Sequence, residues 1–194
     1  MKPWTLDPAG NFYTISDCPL NCDGDGANGQ TGGIACYVPL GSGLQHLDNL
    51  ENAGHIGNWW GLACYTNGHP FVQQPNDPAP GAYVSTTAYV DTSKRVSDPH
   101  RYLDAAGVPF IVVPRLFIRE VPGTVMGCYC EVEYQGEVVG AMVGDVGPDF
   151  GEFSLFLCKQ FDPDASCHGT SINRGVTVRV YPGKQFKDYR LLPS

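Results

Sequence analysis

The second half of the chain consists of short apolar runs rich in β-branched and aromatic residues, each ending at Gly or Pro. This pattern limits the fold more than any other feature, because such runs are typical of short β-strands. Residues 125–134 alternate, and a Gln-Gly turn at 135–136 joins them to the next run. Four further runs read as strands: 82–90, 110–113, 138–143 and 176–181. In this half of the chain only 153–161 favours a short helix, so we predict an all-β sandwich or small barrel.

The composition agrees with one β-rich domain. The chain has 194 residues, of which 42% are hydrophobic, 16% are charged, 24 are Gly and 16 are Pro. This length supports one core, and residues 1–194 show no repeat or linker. Residues 1–35 are rich in Gly, Asn, Asp and Cys, so we predict a loop-rich N-terminal segment there.

Eight cysteines favour disulfides and therefore an oxidising compartment. Cys18–Cys22 and Cys158–Cys167 are plausible local pairs, although the sequence does not fix the connectivity. A zinc site is the alternative, but Cys18-x3-Cys22 and Cys128-x-Cys130 match zinc-ribbon spacing poorly. We therefore expect long loops tied by disulfides, no metal and no cofactor. Cys128 and Cys130 lie on one face of their strand.

The net charge of −8 argues against a nucleic-acid partner, since phosphate binding requires a basic surface. An acidic surface attracts a cationic polymer, and it also serves ordinary solubility. No apolar run approaches the roughly 18–20 residues that cross a bilayer, so we expect no membrane segment. The chain begins without a signal-peptide pattern, and we expect a secreted protein seen in its mature form or one exported by a route that needs no cleaved signal.

The distinctive stretch is 143–154, in which an apolar strand leads to Asp145 and a Gly-Pro turn leads to Glu152. Two carboxylates placed across such a turn can approach one point. Glycoside hydrolysis requires that arrangement, with one acid on the leaving oxygen and one carboxylate on water. Taken alone, an Asp and a Glu beside a turn are more often solvated loop residues.

The same stretch resembles the "GD-x-GP … GE-x-S" signature of the family 75 glycoside hydrolases, the fungal-type chitosanases. It reads Gly-Asp-Val-Gly-Pro at 144–148 and Gly-Glu-Phe-Ser at 151–154. The signature also resembles a segment of double-psi β-barrel proteins. Other stretches resemble family segments in the same order: 22–24, 52–54, 57–61, 77–87, 101–104, 108–114, 175–177 and 181–183.

The resemblance implies a small six-stranded double-psi β-barrel-like domain with short helices. It implies an endo-acting, inverting hydrolase of β-1,4-linked glucosamine polymers, with Glu152 as general acid and Asp145 as general base. The implied partner is the polysaccharide, and we expect a monomer. Candidate substrate-binding residues are Asp23, Asp149, Trp59 and Trp60. A turn-capping role for Asp23 and core packing of at least one tryptophan are the alternatives.

Two other functions fit the same residues. The turn between Asp145 and Glu152 is two residues shorter than the family pattern, which would suit a different glycan. A muramidase or lytic transglycosylase acting on peptidoglycan is the first alternative. A non-catalytic, expansin-like sugar-binding module is the second. Three further acids, Glu131, Glu133 and Glu137, are candidates for binding the amines of chitosan.

Overall fold

The computed structural model describes most of the chain. It describes residues 3–22, 61–77, 80, 83–165 and 170–187, and the backbone of four two-residue strands. Those four strands are β3 (Pro39–Leu40), β4 (Gly43–Leu44), β5 (Gly54–His55) and β6 (Asn58–Trp59).

The remaining strands are longer and build one sheet. They are β1 (Trp4–Leu6), β2 (Tyr13–Cys22), β7 (Phe110–Pro114), β8 (Cys128–Tyr134), β9 (Glu137–Gly147), β10 (Glu152–Phe153) and β11 (Thr170–Gln185). Two short helices, α1 (Arg115–Glu120) and α2 (Leu155–Phe161), follow β7 and β10. No described helix combines the length and apolar character that crossing a membrane requires.

Six of these strands close into a barrel. Their order is β2-β10-β7-β9-β8-β11, and β11 pairs back onto β2. β1 is an extra strand on the edge of β2. The pairs β2–β10 and β7–β9 are parallel, whereas β7–β10, β8–β9, β8–β11 and β2–β11 are antiparallel. The predicted all-β, six-stranded barrel with short helices is confirmed.

Two sequence-based assignments were wrong. Residues 1–35 do not form loop throughout, because 4–6 and 13–22 are strands and β2 is a wall of the barrel. Residues 83–90 do not form a regular strand either. They make isolated bridges, Tyr83 with Val72, Ser85 with Leu62 and Val90 with Tyr102, and cross the surface as an irregular layer.

Alternation along the strands separates two apolar clusters. The inner cluster takes side chains from all six barrel strands, for example Ile111 and Val113 of β7 and Val143 of β9. The outer cluster takes the alternate residues Phe110 and Val112 of β7 and Met142 of β9. Leu103, Ala105, Val108 and Phe186 cover these three residues. The outer face of β7 and β9 is therefore a second packed layer.

Six of the eight cysteines lie in the described part of the chain, and five of these are buried. Cys18, Cys128, Cys130 and Cys158 are buried free thiols, and Cys64 is a partly buried one. The suggested pairs Cys18–Cys22 and Cys158–Cys167 are therefore wrong. The thiol of Cys158 instead lies 3.6 Å from the carbonyl oxygen of Asn21. Cys128 and Cys130 do share one face of β8, and that face is the barrel interior.

Candidate active site

A β-bulge in β9 places Asp145 on the outer face of the barrel. In the parallel pair β7–β9, Ile111 is opposite Val143 but Val112 is opposite Asp145, so Gly144 is an extra residue. Strict alternation from the inward-facing Val143 would have turned Asp145 inward as well. The bulge reverses the direction of the Asp145 side chain, which therefore lies on the same face of the sheet as Val112.

Gly144 is tightly packed at that bulge. A Cβ on this residue would stand 2.6 Å from Leu103 Cδ1 and 2.6 Å from Phe110 Cβ. Real side chains do not tolerate such distances, so the bulge requires glycine here. Gly144, which precedes Asp145, thus allows the outer cluster to pack directly on the β9 backbone.

Glu152 reaches the same face from the opposite side of β7. In the antiparallel pair β7–β10, Phe153 is opposite Ile111, and both side chains point into the barrel. Continuing that register by one residue sets Glu152 beside Val112 on the outer face. A Cβ on Gly147 would lie 2.7 Å from Val112 Cγ1 and 2.9 Å from Glu152 Oε2. The carboxylate of Glu152 therefore lies directly above Gly147.

Asp145 and Glu152 therefore flank Val112, on the two strands that pair with β7. Two strand spacings separate β9 from β10, which sets the two backbones about 10 Å apart. Both side chains project from one face of the barrel, so their carboxyl groups can approach a common ligand. The structure brings together the two residues that the sequence motif predicted as a pair.

The carboxylate of Asp145 is held through one oxygen. The backbone N–H groups of Ala88 and Val146 both donate to Oδ1, each at 2.7 Å. No hydrogen bond from the described residues reaches Oδ2. The Ala88 bond comes from the irregular layer, 57 residues away along the chain. The arrangement fixes the plane of the carboxylate and leaves Oδ2 for a reacting group.

Partial burial raises the pKa of Asp145 to about 6. The cause is desolvation, since the outer layer removes water that would stabilise the ionised form. Hydrogen bonds from the N–H groups of Val146 and Ala88 favour the ionised form, but they offset only part of this effect. A carboxyl group with a pKa near 6 is suited to proton transfer near neutral pH.

The proposed substrate-binding residues have varied positions. Asp149 is exposed in the turn between β9 and β10. Trp59 is described only through the backbone of β6, and Asp23 and Trp60 lie outside the described residues.

The three further acids do not form one group. Glu137 is exposed at the start of β9. The carboxylate of Glu131 accepts the hydroxyls of Tyr129 at 3.0 Å and Tyr181 at 2.7 Å. Glu133 pairs with Arg179 at 2.6 Å. Glu131 and Glu133 are therefore engaged within the barrel wall, and only Glu137 retains the exposure that binding an amine requires.

Sequence reasoning missed three contributors to the site. Gly147, above which Glu152 lies, was present in the recognised signature, so its close approach was accessible from the motif. Val112 read only as a strand residue. The hydrogen bond from the N–H of Ala88 could not be predicted, because a backbone donor 57 residues away along the chain has no local sequence pattern.

Comparison of the sequence with protein-family models and with curated proteins gives no match. In the described part of the chain, no group of three or more His, Cys, Asp or Glu side chains is arranged to hold a metal ion. The residues of the site itself therefore carry the functional argument.

Proposed function

We propose that this protein is an endo-acting glycoside hydrolase that cleaves β-1,4-linked glucosamine polymers with inversion. The observation that carries the proposal is the placement of Asp145 and Glu152 on one outer face of the barrel, on either side of Val112. Two carboxylates on one face can supply the acid and the base that cleavage of a glycosidic bond requires. The resemblance of 144–148 and 151–154 to the family 75 signature supports the same pair.

In this mechanism Glu152 is the general acid and protonates the leaving glycosidic oxygen. Asp145 is the general base and removes a proton from the attacking water through Oδ2. Both bonds from Ala88 and Val146 go to Oδ1, which supports this use of Oδ2. A pKa of about 6 makes Asp145 a stronger base than an ordinary aspartate while leaving it ionised at neutral pH.

Inversion rests on the family resemblance. Inverting enzymes separate their carboxyl groups by roughly 6.5–9.5 Å to admit a water, whereas retaining enzymes hold them about 5–5.5 Å apart. The side chain of Glu152 starts on β10, but its carboxylate reaches across β7 to Gly147, two residues from Asp145 on β9.

The substrate class follows from resemblance and charge. Chitosan carries protonated amines, and the net charge of −8 favours its approach. The short turn between Asp145 and Glu152 favours a second candidate, cleavage of peptidoglycan glycan strands by the same pair. Secretion and a monomeric state belong to the same proposal, and they rest on the family resemblance because the described thiols give no disulfide argument.

Product release from soluble chitosan and from purified peptidoglycan separates these candidates. We expect glucosamine oligomers from chitosan, abolished in Glu152→Gln and retained in Asp164→Asn, which neutralises an exposed acid outside the site. Cleavage of peptidoglycan alone would transfer the mechanism to the second substrate. If the wild type binds chitosan without cleaving either polymer, and Glu152→Gln binds equally well, the protein is a non-catalytic sugar-binding module and the proposal is wrong.

A further inference from the structure

Thr87 is a buried polar residue next to the site, with 7% of its surface exposed. Its hydroxyl donates to the carbonyl oxygen of Tyr89 at 2.8 Å and accepts from the N–H of Leu103 at 3.1 Å. One hydroxyl therefore closes the turn 87–89 and ties it to the outer apolar cluster through Leu103. Valine has the same shape but can make neither bond.

The backbone held by Thr87 contacts β9 at two successive residues. The N–H of Ala88 donates to Asp145 Oδ1 at 2.7 Å, and the N–H of Tyr89 donates to the carbonyl oxygen of Gly144 at 2.9 Å. These donors hold the bulge and the carboxylate that the bulge presents. Ala88 itself is exposed, so its side chain contributes little to fixing this position.

We propose that Thr87 is a positioning residue for Asp145: its hydroxyl fixes the turn 87–89, so that the Ala88 N–H holds Oδ1 and directs Oδ2 toward the reacting water. The inference rests on the proposed function in assigning Asp145 as the base. Its structural part, that Thr87 controls the Ala88–Asp145 hydrogen bond, is independent of any activity.

The expected effects follow from the hydrogen bond. Losing the Ala88 donor removes an interaction that favours ionised Asp145, so the proton affinity of this carboxyl rises. Misplacing Oδ2 slows proton removal from water while leaving the sugar-binding contacts in place. We therefore expect a fall in kcat of about 10–100-fold with little change in KM.

The surroundings of Asp145 make the titration interpretable. β7 presents the neutral Val112, the irregular layer presents Ala88, and β10 presents the ionisable Glu152. Tyr89 turns its ring away, to lie 3.5 Å from the Cβ position of Gly127. Among the described residues, Glu152 is thus the ionisable neighbour to control for, and Glu152→Gln removes it.

The test compares wild type, Thr87→Val and Thr87→Ser by ¹³C NMR titration of the Asp145 carboxyl and by the pH dependence of kcat. We expect Thr87→Val to raise the titration midpoint and lower kcat at unchanged KM, and Thr87→Ser to restore both. Repeating the titration in the Glu152→Gln background separates the effect of Thr87 from that of the neighbouring carboxyl group.

A Thr87→Val midpoint and kcat equal to those of wild type would overturn the proposal. Should Thr87→Val not fold, the amide proton of Ala88 in wild type decides. If that signal follows the titration of Asp145, the hydrogen bond is present, and Thr87→Ser must preserve it. If it does not follow, the proposal is wrong. A wild type without hydrolytic activity removes the proposed function, while the NMR arms still decide whether Thr87 orients Asp145.

Discussion

At the scale of single residues, the carboxyl group of Asp145 is subject to two opposing influences. Burial under the outer layer favours its neutral form, and two backbone N–H groups favour its charged form. Burial prevails, so the pKa lies above the ordinary value of 3.8, at about 6. The same burial that tunes the group for proton transfer makes it costly to ionise in the folded state.

That cost predicts the effect of Asp145→Asn on stability. Because the folded-state pKa is raised, this residue contributes most to stability below the unfolded value, and the contribution is lost as pH rises through about 6. Asparagine is never charged and still offers an oxygen to the two N–H groups. We expect the variant to gain on the order of 1–3 kcal/mol relative to wild type above pH 7, and little near pH 4.

Urea unfolding of both proteins at the two pH values measures this difference. Glu137→Gln, at an exposed position, is the control for removing one acidic group. Equal stabilities of wild type and Asp145→Asn at both pH values would contradict the raised pKa.

Gly147 gives a second prediction at this scale. The Cβ of Gly147→Ala would stand 2.9 Å from Glu152 Oε2 and 2.7 Å from Val112 Cγ1. The flexible carboxylate must therefore shift, and we expect a loss of activity of about 10–100-fold in a folded protein. Gly140→Ala is the matched control on the same strand, because its Cβ meets Tyr129 at an ordinary 3.4 Å. Activity equal to that of the control would show that Glu152 needs no such position.

At the scale of elements, the bulge in β9 determines which face carries the site. The extra residue Gly144 turns Asp145 outward between the pairs Ile111–Val143 and Val112–Asp145. Its absent side chain leaves room for Leu103 and Phe110. The bulge therefore turns the Asp145 side chain outward and also provides the backbone surface on which Leu103 and Phe110 pack.

Gly144→Ala tests this element. A methyl group there would overlap Leu103 Cδ1 and Phe110 Cβ, each at 2.6 Å, and overpacking of this kind costs about 1–3 kcal/mol. We expect a loss of that size in the free energy of unfolding, measured by chemical denaturation, with Gly140→Ala close to wild type. An unchanged free energy for Gly144→Ala would mean that the outer layer does not pack on the bulge.

Local pattern identified some elements and missed others for physical reasons. β7 and the β8–β9 hairpin have uninterrupted apolar or alternating runs with a clear turn, so the sequence predicted them. β2 was missed because Pro19, Asn21 and Asp17 break the strand pattern, whereas its stability comes from pairing with β11 and β10. Residues 83–90 have strand composition, but their hydrogen bonds go to loops and to the β9 bulge.

The candidate site divides in the same way. Asp145 and Glu152 were found because they lie in one short motif. Their shared face was not accessible from the sequence, because it depends on the register with β7 and on one extra residue in β9. The Ala88 donor depends on a contact between distant segments, which a single sequence does not reveal.

At the scale of the whole molecule, the described cysteines of the barrel contribute through packing in its core. Cys18, Cys128, Cys130 and Cys158 lie in the inner cluster as free thiols. Burial raises the pKa of the Cys18 thiol to about 11 and that of Cys130 well above its ordinary value. These groups behave as small apolar side chains that are inert in the native state.

Thiol titration checks this claim. We expect Cys18, Cys128, Cys130 and Cys158 to stay unlabelled by a thiol reagent in the native state, as mapped by mass spectrometry, and at least five thiols to react after denaturation without reductant. A sample reduced before denaturation is the control for total cysteine. Fewer than five thiols in the unreduced sample would restore the disulfide interpretation.

On the outer face of the barrel, the bulge in β9, the flanking strands and the irregular layer together position the carboxylates of Asp145 and Glu152. Time-resolved NMR of chitosan digestion by wild type, Asp145→Asn and Glu152→Gln tests their function most directly. The account predicts oligomers released first as the α-anomer by wild type, and no release by either variant. Products appearing first as the β-anomer, or turnover surviving in either variant, would contradict an inverting mechanism that depends on this pair.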